Sequence, residues 1–205
     1  MKSALIRSGL ALAVAASLQA CAPLMVGSMV GGAMVATDRR TSGIQLEDEN
    51  IELKASSRVR EMVGGRVHVN VTSYNRQVLL TGEAPNEQDR QYVAKLVGEV
   101  ENVRTVLNEL VVAPNSGLTD RSTDSLITAK VKAQMVDSKD IFANAYKIVT
   151  ERGVVYLMGR VTQREADRAT EVARQVSGVK KVVRSFEILT EAELNALVPE
   201  PPKKP

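Results

Sequence analysis

Residues 67–112 and 144–189 carry the same order of strand, turn, strand, helix and strand signals. A chain with such a duplication is restricted to folds built from two copies of one small unit. In the first copy Val67, Val69 and Val71 alternate with polar residues, a turn follows at Tyr74-Asn75-Arg76, and Val78-Leu79-Leu80-Thr81-Gly82 forms the return run. In the second, Ile148-Val149-Thr150 leads to a turn at Glu151-Arg152-Gly153 and then to Val154-Val155-Tyr156-Leu157-Met158-Gly159. Gly82 and Gly159 close equivalent runs, where a strand end needs close backbone approach or positive φ. Each pair of runs reads as a β-hairpin with a short connection.

A helix follows each hairpin. Asn86 with Asp89, and Thr162 with Glu165, stand at the spacing of an N-cap and its reciprocal partner. Behind them Val93, Leu96, Val97 and Val100, and then Ala169, Val172, Ala173 and Val176, recur with helical period, so one face turns to a core. Asn102 and Gly178 suit the left-handed residue that stops a helix. A third strand then runs over 103–112 in one copy and 179–189 in the other. A further helix precedes each hairpin. One is expected over Asp48–Met62 with Ile51, Ala55, Val59 and Met62 inward, the other over Asp124–Val136 with Ile127, Val131 and Met135 inward. The unit is therefore αββαβ, an α+β class in which two helices cover one face of a small sheet. The expected boundaries are 48–113 and 123–189 for the two units, with a connection at 114–122 and a disordered, proline-rich tail over 190–205.

The N-terminus has a different character. Lys2 and Arg7 form a basic head, and Leu10 to Leu18 is an apolar run as long as a signal-peptide core but too short to span a bilayer. The run ends in Leu18-Gln19-Ala20-Cys21, which resembles the lipobox of bacterial lipoproteins, in which the cysteine is acylated and becomes the first residue. Residues 1–20 are read as the signal, Cys21 as the lipidation site, and 21–47 as tether and polar linker. Ala22, in place of the Asp that often retains lipoproteins in the inner membrane, favours the outer membrane. Cys21 is the only cysteine, so an intramolecular disulfide is excluded, and acylation removes it as a thiol catalyst or metal ligand. Loss of Lys2 and Arg7 leaves 25 basic against 24 acidic residues. With no Trp, 3% aromatic residues and no dense basic stripe, the composition does not imply nucleic-acid binding.

The repeated unit resembles the BON domain. The resemblance rests on Val78-Leu79-Leu80-Thr81-Gly82 with Val103-Arg104-Thr105-Val106, and on Tyr156-Leu157-Met158-Gly159 with Val179-Lys180-Lys181-Val182. Two such units behind a lipobox are similar to dual-BON-domain outer-membrane lipoproteins, as are Thr37-Asp38-Arg39-Arg40-Thr41 and Asn70-Val71-Thr72-Ser73-Tyr74. The resemblance implies tandem domains, each with a three-stranded mixed sheet, and a non-enzymatic role without cofactor. It implies a lipid-anchored protein on the periplasmic side of the outer membrane. Its expected partners are anionic phospholipids, such as phosphatidylglycerol and cardiolipin, in the inner leaflet. Support of membrane integrity, in stress and at the division site, is the corresponding function. The alternative is an adaptor for envelope-assembly or peptidoglycan-remodelling proteins.

One asymmetry bears on the lipid. Leu126, Ala129, Ala133 and Val136 cluster opposite Ile127, Val131 and Met135 at 100° per residue, where a helix lying on a sheet should be polar. Lys130 and Lys132 border this second stripe, whereas the aligned positions of the first unit, Asn50, Leu53, Ser57 and Arg60, are mostly polar. The stripe is read as a lipid-docking face extended by Ile141 and Phe142, with packing against the first unit as the competing reading. Other polar features carry little. His68, the only histidine, points away from the Val67–Val69 face, and one His without Cys does not make an ordinary zinc site. Gly31-Gly32 lacks the residues of a phosphate loop. The acidic groups Glu47-Asp48-Glu49 and Glu99 with Glu101 read as solvated or capping charges.

Overall fold

The structure, a computed structural model, describes residues 38–138 and 140–197. The signal segment, Cys21, the tether as far as residue 37 and the end of the tail lie outside the described residues. The first repeat contains α1 (Ser42–Val63), β1 (His68–Tyr74), β2 (Gln77–Ala84), α2 (Glu87–Gly98), β3 (Thr105–Asn108) and β4 (Val111–Val112). The second contains α3 (Leu118–Asp137), β5 (Tyr146–Glu151), β6 (Val154–Thr162), α4 (Gln163–Arg174) and β7 (Lys181–Leu189), and is followed by α5 (Glu191–Leu197). In each repeat the middle strand pairs antiparallel with the first and parallel with the third, so both sheets are mixed.

Local chemistry explains most element ends. Asn75 and Arg76 have φ of 52° and 64°, and Arg152 and Gly153 have 54° and 77°. Positive φ at both central residues matches the right-handed twist of the flanking strands and closes each hairpin in two residues. Thr162 accepts from the Glu165 N–H while the Glu165 carboxylate accepts from the Thr162 N–H, completing the reciprocal cap expected from the sequence. Asn86 caps α2 in the same way from one side, accepting from Asp89 N–H at 2.8 Å.

Several expectations need correction. α1 starts at Ser42, not Asp48, because Thr41 accepts from the Ile44 N–H and supplies an earlier cap. Its buried row is Ile51, Ala55, Val59 and Val63, while Met62 is 51% exposed. That row follows i, i+4 steps, so it drifts around the helix, and by the last turn Val63 has replaced Met62 on the sheet side. α3 starts at Leu118, so the stretch 118–122, read as connection, is helical. The third strand of the first repeat is split at Glu109–Leu110, where Leu110 turns into the core and Arg90 donates to the carbonyls of Asn108 and Leu110. The tail is not without structure throughout. Thr190 and Glu193 exchange hydrogen bonds that start α5.

Asp48 is a correction of another kind. It is 2% exposed, and its carboxylate accepts from the N–H groups of Asn75 and Arg76, from Ser73 Oγ and from Arg40. Asp124 does the same for the second hairpin, accepting from Arg152 N–H at 2.7 Å and Gly153 N–H at 2.8 Å. In both repeats the leading helix thus holds the hairpin turn by one buried acid, whose charge is stabilised by backbone donors that a tight turn leaves unpaired.

Each sheet uses both faces. One face packs under the helices of its own repeat: Val78, Leu80 and Ala84 in the first core, Val155, Leu157 and Val161 in the second. The other faces meet each other, through Tyr74 and Leu79 on one side and Tyr156 and Met158 on the other. The layers therefore run helices, sheet, sheet, helices. Leu79 and Met158 are both 0% exposed, and burying such a side chain contributes about 1.5–3 kcal/mol. The uninterrupted apolar runs Val78-Leu79-Leu80 and Val154–Met158 follow from this, since a strand buried on both faces cannot alternate.

The segment ahead of α1 closes the seam between the repeats. Arg39 forms a two-pronged ion pair with Glu165 at 2.6 and 2.8 Å and donates to the Arg160 carbonyl. Arg40 pairs with Asp38 and Asp48 and lies over the Tyr74 ring at 4.2 Å. Two residues of the expected linker are therefore structural parts of the seam.

Candidate functional site

α3 is held from inside. Ile127, Val131 and Met135 sit in the second core, and Asp124 holds the β5–β6 turn. What remains is its outer face. Leu126 is 63% exposed and Val136 69%, and Ala129, Lys130, Lys132 and Ala133 are all exposed with them. The competing arrangement, in which this stripe packs on the first repeat, does not occur. The seam is made by the two sheets, and α3 lies on the far side of its own sheet.

The early start of α3 adds a residue that the sequence reading missed. Leu118 is 82% exposed. At 100° per residue it falls with Leu126, Ala129, Ala133 and Val136 in an arc of about 80°. The signal was in the sequence, at i, i+8 and i+11, but it sat in a stretch read as connection. Phe142 is 58% exposed beyond the helix end and extends the apolar surface, whereas Ile141 is 7% exposed and belongs to the core, so it does not. Lys130 and Lys132 flank the arc, and among the described residues neither takes part in an ion pair. Their charges are free to meet an external anion.

The equivalent face of α1 is less polar than its sequence indicated, because Leu46 joins Leu53 there, 60% and 67% exposed. Asn50, Ser57 and Arg60 interrupt it. Lys54 and Arg58 on α1 are already paired, with Glu101 and Glu99. Of these two faces, that of α3 combines a run of apolar and small residues with lysines that have no ion-pair partner among the described residues.

A second concentration of ionisable groups lies at the seam. Glu83 is fully buried and accepts from His68 Nδ1 at 2.8 Å, from Ser116 N–H and Oγ, and from Arg152. Burial works against its charge, but these donors outweigh it and hold its carboxyl below the usual range. Glu151 comes from the other repeat and accepts from Asn70, and burial pushes its carboxyl up. His68 faces away from the Val67–Val69 side, as its place in the strand requires, and so lies at the seam.

The profile of the BON domain matches residues 47–114 and 123–190. The chain is 38% identical over 174 residues to the outer membrane lipoprotein DolP of Haemophilus influenzae, covering 84% of this chain and 90% of that protein. It is 33% identical over 149 residues to the 21 kDa hemolysin of Actinobacillus pleuropneumoniae, covering 72% and 77%. It is 29% identical over 117 residues to the osmotically-inducible protein Y of Escherichia coli, covering 56% and 58%.

Proposed function

The chain belongs to the BON domain family, and from that membership we propose that it is a lipoprotein of the outer membrane that faces the periplasm and docks on anionic phospholipid through the outer face of α3. The family is non-enzymatic, and the role is one of binding. The observation that carries the docking surface is the exposure of Leu118, Leu126 and Val136 along one side of a helix whose unpaired Lys130 and Lys132 flank that side. Apolar side chains enter the headgroup boundary while each lysine gains about 1 kcal/mol near an anionic surface. Such docking is weak alone. It becomes effective when acyl chains on Cys21 already hold the protein at the bilayer, because the second contact is then intramolecular. The outer-membrane placement is supported by the likeness to DolP and by Leu18-Gln19-Ala20-Cys21. In this reading the anchor is lipid on Cys21; among the described residues no helix is long and apolar enough to cross a membrane.

The test uses the Cys21→Ser chain, freed of its acyl anchor. It should sediment with vesicles containing phosphatidylglycerol or cardiolipin, remain in solution with phosphatidylcholine alone, and lose binding on Leu126→Glu. Binding indifferent to headgroup charge and to Leu126→Glu refutes the α3 surface. Lipidation is tested separately, by mass spectrometry of the envelope-extracted protein, where an unmodified Cys21 refutes the anchor. Support of membrane integrity, and of cell division, follows in this reading from a bilayer-docked pair of domains, and is read as detergent and dye sensitivity of cells carrying Leu126→Glu.

A further inference from the structure

The geometry points to a binding site for a divalent transition metal of the zinc class at the seam, formed by His68, Glu83, Ser116 and Glu151. It is independent of the docking surface on α3. His68 on β1 and Glu83 on β2 are direct partners in the antiparallel ladder, so both project from one face of the first sheet, toward the second repeat. His68 Nδ1 lies 2.8 Å from Glu83 Oε2, and Ser116 Oγ lies 3.2 Å from that oxygen and 3.5 Å from that nitrogen. Four ligands around zinc at about 2.0–2.1 Å stand about 3.3 Å apart, a length that the three edges of this triangle bracket, the His68–Glu83 edge having to open by about half an ångström. Glu151 brings the fourth donor from the opposite repeat. Ligating atoms of His68, Glu83 and Glu151 all lie within 4.8 Å of one another. From a separation of at most 4.8 Å, closure to an edge of about 3.3 Å needs the Glu151 side chain to move in by no more than about 1.5 Å.

Two further features fit a metal better than a hydrogen-bonded cluster alone. Glu83 and Glu151 are 0% and 5% exposed and face each other across the seam, an arrangement of like charges that a cation relieves directly. The outer contacts are arranged as those of metal ligands are. Arg152 engages Glu83 Oε1 and leaves Oε2 to the cluster, and Asn70 orients Glu151 through one oxygen. Arg152 is 46% exposed at its side chain, so it has room to withdraw as a cation enters. A cleft of about 400 Å³ lined by His68, Asn70, Thr128 and Glu151 gives access from solvent. Because donors come from both repeats, only the docked form of the pair presents the full set, and binding tightens the seam. The ligands stand far apart in the chain, which is why a count of His and Cys in the sequence gives no sign of them.

The experiment is a titration of zinc chloride into the metal-stripped full-length protein in a non-ionic detergent, followed by calorimetry and thermal melting. One zinc per chain is expected, with a dissociation constant of about 1 μM or below. The melting temperature should rise by about 5 °C or more at a hundredfold excess of metal over that constant. Cobalt in its place should give the intense visible absorption of a four-coordinate ion. His68→Ala and Glu151→Gln should each abolish both signals. Glu151→Gln keeps an oxygen for Asn70 and removes a charge that burial disfavours, so without metal it should melt no lower than the parent chain. Absence of binding below about 100 μM overturns the site, as does zinc binding that survives both substitutions.

Discussion

Single residues hold this fold where the backbone is tightest. Gly82 has φ of 118°, and a Cβ there would stand 2.1 Å from the His68 carbonyl oxygen, a backbone atom that cannot move aside. Gly82→Ala is expected to cost on the order of 3 kcal/mol or more, seen as a lowered melting temperature or as failure to accumulate. Asp48 is the second such point. Asp48→Ala leaves two turn N–H groups and the Ser73 hydroxyl without their acceptor and takes from Arg40 one of its two carboxylate partners, and should cost about 3 kcal/mol, or about 6–12 °C in melting temperature. Asp124→Ala should cost less, since Asp124 receives two backbone donors and no arginine. These positions differ in how far the sequence discloses them. Gly82 and Gly159 stand at equivalent ends of repeated apolar runs, so a structural role could be read directly. Asp48 lies in the run Glu47-Asp48-Glu49 and is indistinguishable from a solvated charge until the hairpin turn is placed beside it.

At the scale of the element, hydrophobic period identifies the helices and strands, and capping chemistry sets their ends. Thr162 with Glu165 marks the start of α4 in the sequence itself. α1 and α3 both begin earlier than their apolar rows, because their first turns lie beyond the core and carry no inward-facing residue to extend the pattern. For α3 this hides Leu118 from a reading based on period alone. Leu118→Ser and Val136→Ser are expected to weaken anionic-vesicle sedimentation of the Cys21→Ser chain about three- to tenfold each. Both side chains are exposed, so neither change should move stability by more than about 0.5 kcal/mol, as thermal melting would show. Loss of vesicle binding together with loss of folding would mean that α3 serves the core alone.

At the scale of the whole molecule, the repeats are joined by surfaces that sequence shows only indirectly. The uninterrupted apolar runs Val78-Leu79-Leu80 of β2 and Val154–Met158 of β6 signal burial on both faces, but not which partner covers the second one. Arg39 is wholly unreadable in this respect, because its partner Glu165 lies 126 residues away. Arg39→Ala leaves Glu165 buried without its cation and should cost about 3 kcal/mol near pH 7. Burial opposes the charge of Glu165, but hydrogen bonds from Arg39 and Thr162 outweigh it and hold its carboxyl below the ordinary 4.5. A lowered folded value means a contribution present above the ordinary value and lost as pH falls through the folded one. The difference in stability between the parent and Arg39→Ala, measured by denaturant melts, should therefore close as pH falls below the ordinary 4.5 and through the lowered folded value.

The shared seam has a consequence for autonomy. Duplicated domains commonly behave as beads that survive on their own once the string is cut. Here each half, released alone, would present Leu79 or Met158 and their neighbours to water. A protease nick between Ala113 and Asn115 should leave the two fragments travelling together through gel filtration, and denaturant should melt them in one step.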